Sequence, residues 1–142
     1  MNKYMRFDAV SFLRDSKTWE QKKKEKLEEL YAITELPGRP NDSIGKSGKI
    51  SDSVLSVAAQ REPLEIEINR LETYQEALAY ARKMLSEAQN EVIDVFFFKG
   101  GYIAPLVEKY GSKWGFCRDG VYKARREALD ELAYIITERY GL

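Results

Sequence analysis

Between Lys99 and Arg126 the chain carries seven cationic side chains, Lys99, Lys109, Lys113, Arg118, Lys123, Arg125 and Arg126, against only Glu108 and Asp119. A net +5 confined to 28 residues can neutralise phosphates, and lysine and arginine read DNA base edges when a helix carries them into the major groove. The alternative for such a cluster is a solvated helix surface. The chain as a whole hides this patch, because 23 Lys+Arg balance 23 Asp+Glu. The preceding segment, Pro63 to Phe98, holds Arg70, Arg82 and Lys83 against seven carboxylates, and the residues after Arg126 are acidic again.

Other chemistry is excluded by composition. There is no histidine and one cysteine, Cys117. Histidine-based zinc sites, histidine acid–base couples and disulfide frameworks are therefore impossible, and no metal or other cofactor is expected. Cys117 sits among basic residues, but with no histidine as a base it reads as a small residue at a helix entrance. The carboxylates form no paired constellation in an apolar setting, so no catalytic residue is assigned and no enzyme is expected. Gly45-Lys46-Ser47 imitates the end of a P-loop, but Pro40 stands where the signature needs glycine.

The elements that must position the basic cluster are helical. A long helical pattern starts near Arg118 or Gly120 and runs to about Arg139, with Val121, Ala124, Ala128, Leu132, Ile135 and Ile136 on one face. Asp119, Lys123 and Arg126 point the opposite way, with Tyr122 at the flank. Lys123 and Arg126 are the base-edge candidates. Lys99, Lys113 and Arg118 suit backbone phosphates, and Arg125 lies near the apolar face, where its stem packs while its head reaches a phosphate or carboxylate. Trp114 and Phe116 read as packing residues under the turn. Before this helix, Ile103 to Tyr110 is a short amphipathic stretch closed by Gly111-Ser112.

Further upstream, Leu71, Tyr74, Leu78, Ala81, Leu85, Ala88, Val92 and Val95 alternate spacings of three and four. Ser86-Glu87-Ala88-Gln89 is a capping box, so this stripe is expected to cover two helices meeting near Ser86. It reads mainly as core, with self-association as the open alternative. A short helix is expected from Ser51 to about Glu62, with Pro63 opening the next. At the N-terminus a helix is expected from about Trp19 to Leu36, with Asp15, Ser16 or Thr18 as its cap. The reading is all-α: an N-terminal helical segment (1–36), a flexible linker (37–50), and a helical domain (51–142) with a helix-turn-helix at about 87–139. Charges throughout Met1 to Lys24 leave no signal-peptide core, and the longest apolar run, Val95-Phe96-Phe97-Phe98, cannot span a membrane. A cytoplasmic protein without membrane partners is expected.

At these residues the chain resembles the phage late-transcription regulators of the RinA and ArpU type, whose C-terminal part is similar to region 4 of sigma-70 factors. Ile50-Ser51-Asp52-Ser53-Val54 with Ala58-Ala59-Gln60-Arg61-Glu62 looks like that family's "SDPV…A..RE" element. Leu71 to Leu85 matches its long helix, and Leu85 to Phe98 the helix before the helix-turn-helix. Val121-Tyr122-Lys123-Ala124-Arg125-Arg126-Glu127-Ala128-Leu129 looks like its recognition helix, "hYyriRkeAL". The stretch from Val107 to Val121 is about four residues longer than the tight turn of the sigma-type motif, which implies a small loop there. The resemblance implies a sequence-specific regulator of phage or prophage late genes, with double-stranded DNA and host RNA polymerase as partners. A homodimer is compatible with it. Two rivals remain at this point: a small terminase-like packaging protein, and a helical protein–protein interaction module.

Overall fold

The computed structural model describes residues 7–34 and 49–142. These residues form five helices and no strand: α1 Ala9–Thr34, α2 Lys49–Met84, α3 Glu87–Phe97, α4 Ala104–Trp114 and α5 Arg118–Tyr140. The fold is all-α, and none of these helices is long and apolar enough to cross a membrane. The expected linker, 37–50, lies outside the described residues except for Lys49 and Ile50, which are helical.

The chain divides into two units. One joins the residues up to Lys17 to Gln75–Leu142, and the other is Thr18–Tyr74.

In the first unit, α1 begins ten residues earlier than the sequence pattern suggests. Asp8 is the cap: its carboxylate accepts the Ser11 N–H at 3.1 Å and the Ser11 hydroxyl at 2.8 Å. Phe7 and Phe12 pack across this cap with ring centroids 5.0 Å apart, the arrangement of a hydrophobic staple. Leu13 is fully buried and Phe12 nearly so, which fixes this turn on the core. Asp15, Ser16 and Thr18 therefore fall inside the helix, and the Ser16 hydroxyl donates back to the Leu13 carbonyl instead of capping.

The Ser86 capping box forms as expected. Ser86 Oγ accepts the Gln89 N–H and Gln89 Oε1 accepts the Ser86 N–H, so α2 ends and α3 begins there. Arg82 ties the two helices together, donating to Asp94 at 2.5 Å and to Asn90 Oδ1 at 3.1 Å. The Asn90 amide returns a bond to the Arg82 carbonyl at 2.8 Å. From the stripe, Ala81, Leu85, Ala88 and Val92 are buried, whereas Leu78 and Val95 are half-buried. The core closes on α5, which packs most extensively on α3 and then on α4. Val92 and Ile93 of α3 meet a fully buried row of Val121, Ala128, Leu132 and Ile136.

In the second unit, Trp19 is buried against Tyr74 (centroids 5.7 Å), with Ile68 and Leu71 also buried. The break expected at Pro63 does not occur, and α2 runs through it. Proline in a helix interior costs about 3 kcal/mol. Strong helix formers flank it, and the Arg61–Glu65 pair at 3.1 Å bridges the position where one backbone bond is lost.

Candidate nucleic-acid interface

The site is built on how α4 gives way to α5. The expected end of α4 at Gly111-Ser112 is not where the helix stops; it continues to Trp114 and closes at Gly115. Gly115 takes the left-handed conformation (φ 92°), as does Phe116 (φ 55°). The Gly111 carbonyl accepts both of their N–H groups, at 2.6 and 3.0 Å, which terminates the helix by a glycine cap. Gly111 is thus not a breaker but a place of close approach: a Cβ there would overlap the Phe116 ring. The small loop expected between Val107 and Val121 is accordingly replaced by a three-residue turn, Gly115 to Cys117. The extra residues are absorbed into α4.

The α5 helix starts at Arg118, with Cys117 in extended conformation at its N-cap and making no side-chain capping bond. Gly120 lies against the Trp114 backbone carbonyl, too close for any Cβ. Trp114 is half-buried and stacks on Tyr110 at 4.8 Å, so it does pack near the turn. Phe116 lays one edge of its ring against Gly111 but is otherwise open, with 66% of the residue exposed.

The seven cations separate into three groups. Lys109 is engaged, bonding Glu91 at 2.6 Å with Glu87 at 3.7 Å. That bond holds the Glu91 carboxyl below its usual range and raises the Lys109 ammonium above its own. Beside them, burial first and the Glu91 carboxylate second push the Tyr110 hydroxyl up. Arg125 is the second case. Its guanidinium lies over Phe96 at 5.1 Å and Phe97 at 5.4 Å, so it clamps α5 onto α3, and its buried Nε makes no hydrogen bond.

The third group is Lys99, Lys113, Arg118, Lys123 and Arg126. All five are exposed, and among the described residues none is paired with a carboxylate. Lys99 sits on the turn after α3, between Phe98 and the left-handed Gly100-Gly101 pair. Lys113 occupies the last turn of α4. Arg118 lies over the Tyr122 ring at 5.8 Å, and that ring in turn packs on Phe96 at 5.4 Å. Tyr122 is half-buried at the flank, while Lys123 and Arg126 stand on the face opposite the buried row.

A feature the sequence reading missed adjoins this group. Tyr102 (73% exposed) and Phe116 line an open groove of about 800 Å³ together with Val107, Glu108, Arg118 and Tyr122. Tyr102 follows a Gly-Gly turn and precedes Pro105, a position that carries no periodic signal of exposure or burial. No protein family, curated protein or solved structure matches the chain.

Proposed function

We propose that α3, α4 and α5 form a helix-turn-helix that binds double-stranded DNA, and that the protein is a sequence-specific transcription regulator. The observation that supports this most is the sorting of the cations. Once Lys109 and Arg125 are accounted for by Glu91 and by the two phenylalanine rings, five exposed cations without carboxylate partners remain on one helix–turn–helix unit. Desolvating them against phosphate breaks no ion pair among the described residues.

The charge order along α5 argues the same way. A helix macrodipole favours acidic groups near the N-terminus and basic ones near the C-terminus. In α5 the N-terminal half carries Arg118, Lys123, Arg125 and Arg126 against Asp119 and Glu127, while the C-terminal half carries Asp130, Glu131 and Glu138 against Arg139. The terminal turns follow the dipole, with Asp119 in the first and Arg139 in the last, but the halves as a whole do not, at +2 and −2, and an anionic ligand at the N-terminal half favours that order. In this reading Lys123 and Arg126, with Tyr122 beside them, enter the major groove, and Lys99, Lys113 and Arg118 hold phosphates. Arg125 braces α5 against α3 and sets its angle. The family resemblance adds the biological setting: late genes of a phage or prophage, transcribed by the host RNA polymerase.

The test is binding of the full chain to duplex DNA across a salt series. Three phosphate contacts give a slope of log K against log salt of roughly −3, at about −0.9 per phosphate. Affinity independent of salt contradicts the proposal.

A further inference from the structure

Two turns converge on one groove, and each puts an aromatic ring into solvent. The first closes α3. There the Gly101 N–H donates to the Val95 carbonyl at 2.8 Å, Gly100 and Gly101 are both left-handed, and the exposed Tyr102 follows them. The second is the turn from Gly115 to Cys117, which carries the exposed Phe116. Both rings line the open groove already described, with Tyr122 as a third.

Local structure calls for neither ring. Glycine or asparagine adopts a left-handed backbone freely, whereas a bulky side chain there is strained. Phe116 holds that conformation with one edge of its ring seated on Gly111, where the missing Cβ leaves room, and with most of the residue open. Among the described residues Tyr102 stacks on no other ring. Burial therefore repays neither residue.

The charges around the groove say what fits it. Arg118 lies over the Tyr122 ring at 5.8 Å, and Glu108 is the one carboxylate among the lining residues. Lys99 and Lys113 stand on the segments that lead into the two turns. An apolar peptide would use the rings and leave these three cations idle. Duplex DNA would use the cations, but its base faces are covered by stacked neighbours. An unpaired strand uses both, with phosphates for the cations and base faces for the rings.

We infer that this groove binds single-stranded DNA, with bases stacked on Tyr102 and Phe116 and the flanking phosphates held by Lys99, Lys113 and Arg118. The inference rests on the phosphate-holding cations of the duplex reading and adds a second mode of binding, for a strand opened beside the bound duplex.

Fluorescence anisotropy of the full chain tests it, with a labelled oligo-thymidine strand of about 12 nucleotides next to a duplex of the same length. The strand should bind, and Tyr102→Ala and Phe116→Ala should each weaken it roughly tenfold while changing duplex affinity less than about twofold. Tyr102→Phe and Phe116→Tyr should keep strand affinity, because each retains a ring. Circular dichroism should show the helix content of both alanine variants unchanged. A single 2-aminopurine in the strand should be quenched on binding the wild type and less so on binding Tyr102→Ala. A wild type that binds duplex but not strand overturns the inference and leaves the duplex reading standing, whereas binding of neither overturns both. Equal losses on strand and duplex, or no loss on the strand, also overturn it. Oligo-uridine bound more tightly than oligo-thymidine overturns DNA as the strand.

Discussion

Gly120, in the first turn of α5, rests against the backbone carbonyl of Trp114, the last residue of α4. This contact sets how closely the two helices meet across the three-residue turn, and with it where Lys123 and Arg126 face. Backbone cannot move aside as a flexible side chain can. Gly120→Ala should therefore destabilise the fold by about 3 kcal/mol, the upper range for overpacking. The three atoms nearest a Cβ at Gly111 all belong to the exposed Phe116 ring, which can turn aside, and the gain of alanine over glycine in a helix interior is about 1 kcal/mol. Gly111→Ala should be nearly neutral alone and stabilising in a Phe116→Ala background. Chemical denaturation of the three variants checks both statements; equal losses at the two glycines contradict the assignment.

Cys117 occupies the N-cap of α5 without capping it. Serine or aspartate in the same extended conformation accepts an N–H of the first turn, and each should raise stability by about 1 kcal/mol. The two substitutions should part company on DNA. Cys117→Ser leaves affinity unchanged, whereas Cys117→Asp places a carboxylate next to Arg118 and lowers it. Thermal melts paired with duplex binding separate the two effects.

The Glu91–Lys109 pair makes a pH-dependent contribution whose sign follows from the directions of the shifts. Glu91 is lowered, so its share is present above the usual carboxylate value of 4.5 and is lost as pH falls through the lower folded value. Lys109 is raised, so its share is present below the usual lysine value of 10.5 and is lost as pH rises through the higher folded one. A carboxyl titration by nuclear magnetic resonance should find Glu91 below 4.5, returning toward 4.5 in Lys109→Met. The same variant should leave the salt slope of DNA binding unchanged, because Lys109 is already occupied. A Glu91 that titrates normally in the wild type contradicts the pairing.

Much of this architecture is legible in the residues themselves. The Ser86–Gln89 box, the apolar face of α5 and the exposure of Lys123 and Arg126 follow from spacings of three and four, which local geometry enforces. What is not legible depends on contacts distant in the chain. Lys109 and Arg125 look like the other cations until Glu91 and the Phe96–Phe97 pair are brought beside them. Gly111 looks like a terminator because the same missing Cβ serves both an end and a close approach, and only the position of Phe116 tells them apart. The Asp8 start was readable, since Phe7 and Phe12 bracket Asp8 and Ser11 at staple spacing, but the charged residues beyond mask it. The Pro63 break fails because a proline's cost is finite and the helix formers around it offset it.

The proposed reading of DNA by α5 is tested most directly by one measurement. Duplexes enriched by the full chain from a randomised pool are titrated by fluorescence anisotropy, next to unselected duplexes, with wild type and with Lys123→Ala/Arg126→Ala. The account predicts that the variant loses about 2–4 kcal/mol of affinity for the enriched sequence and far less for the unselected one, since a base-reading pair is worth roughly 1–3 kcal/mol. Equal losses on both duplexes would remove the base-reading role of Lys123 and Arg126, and no loss on either would contradict DNA binding through α5.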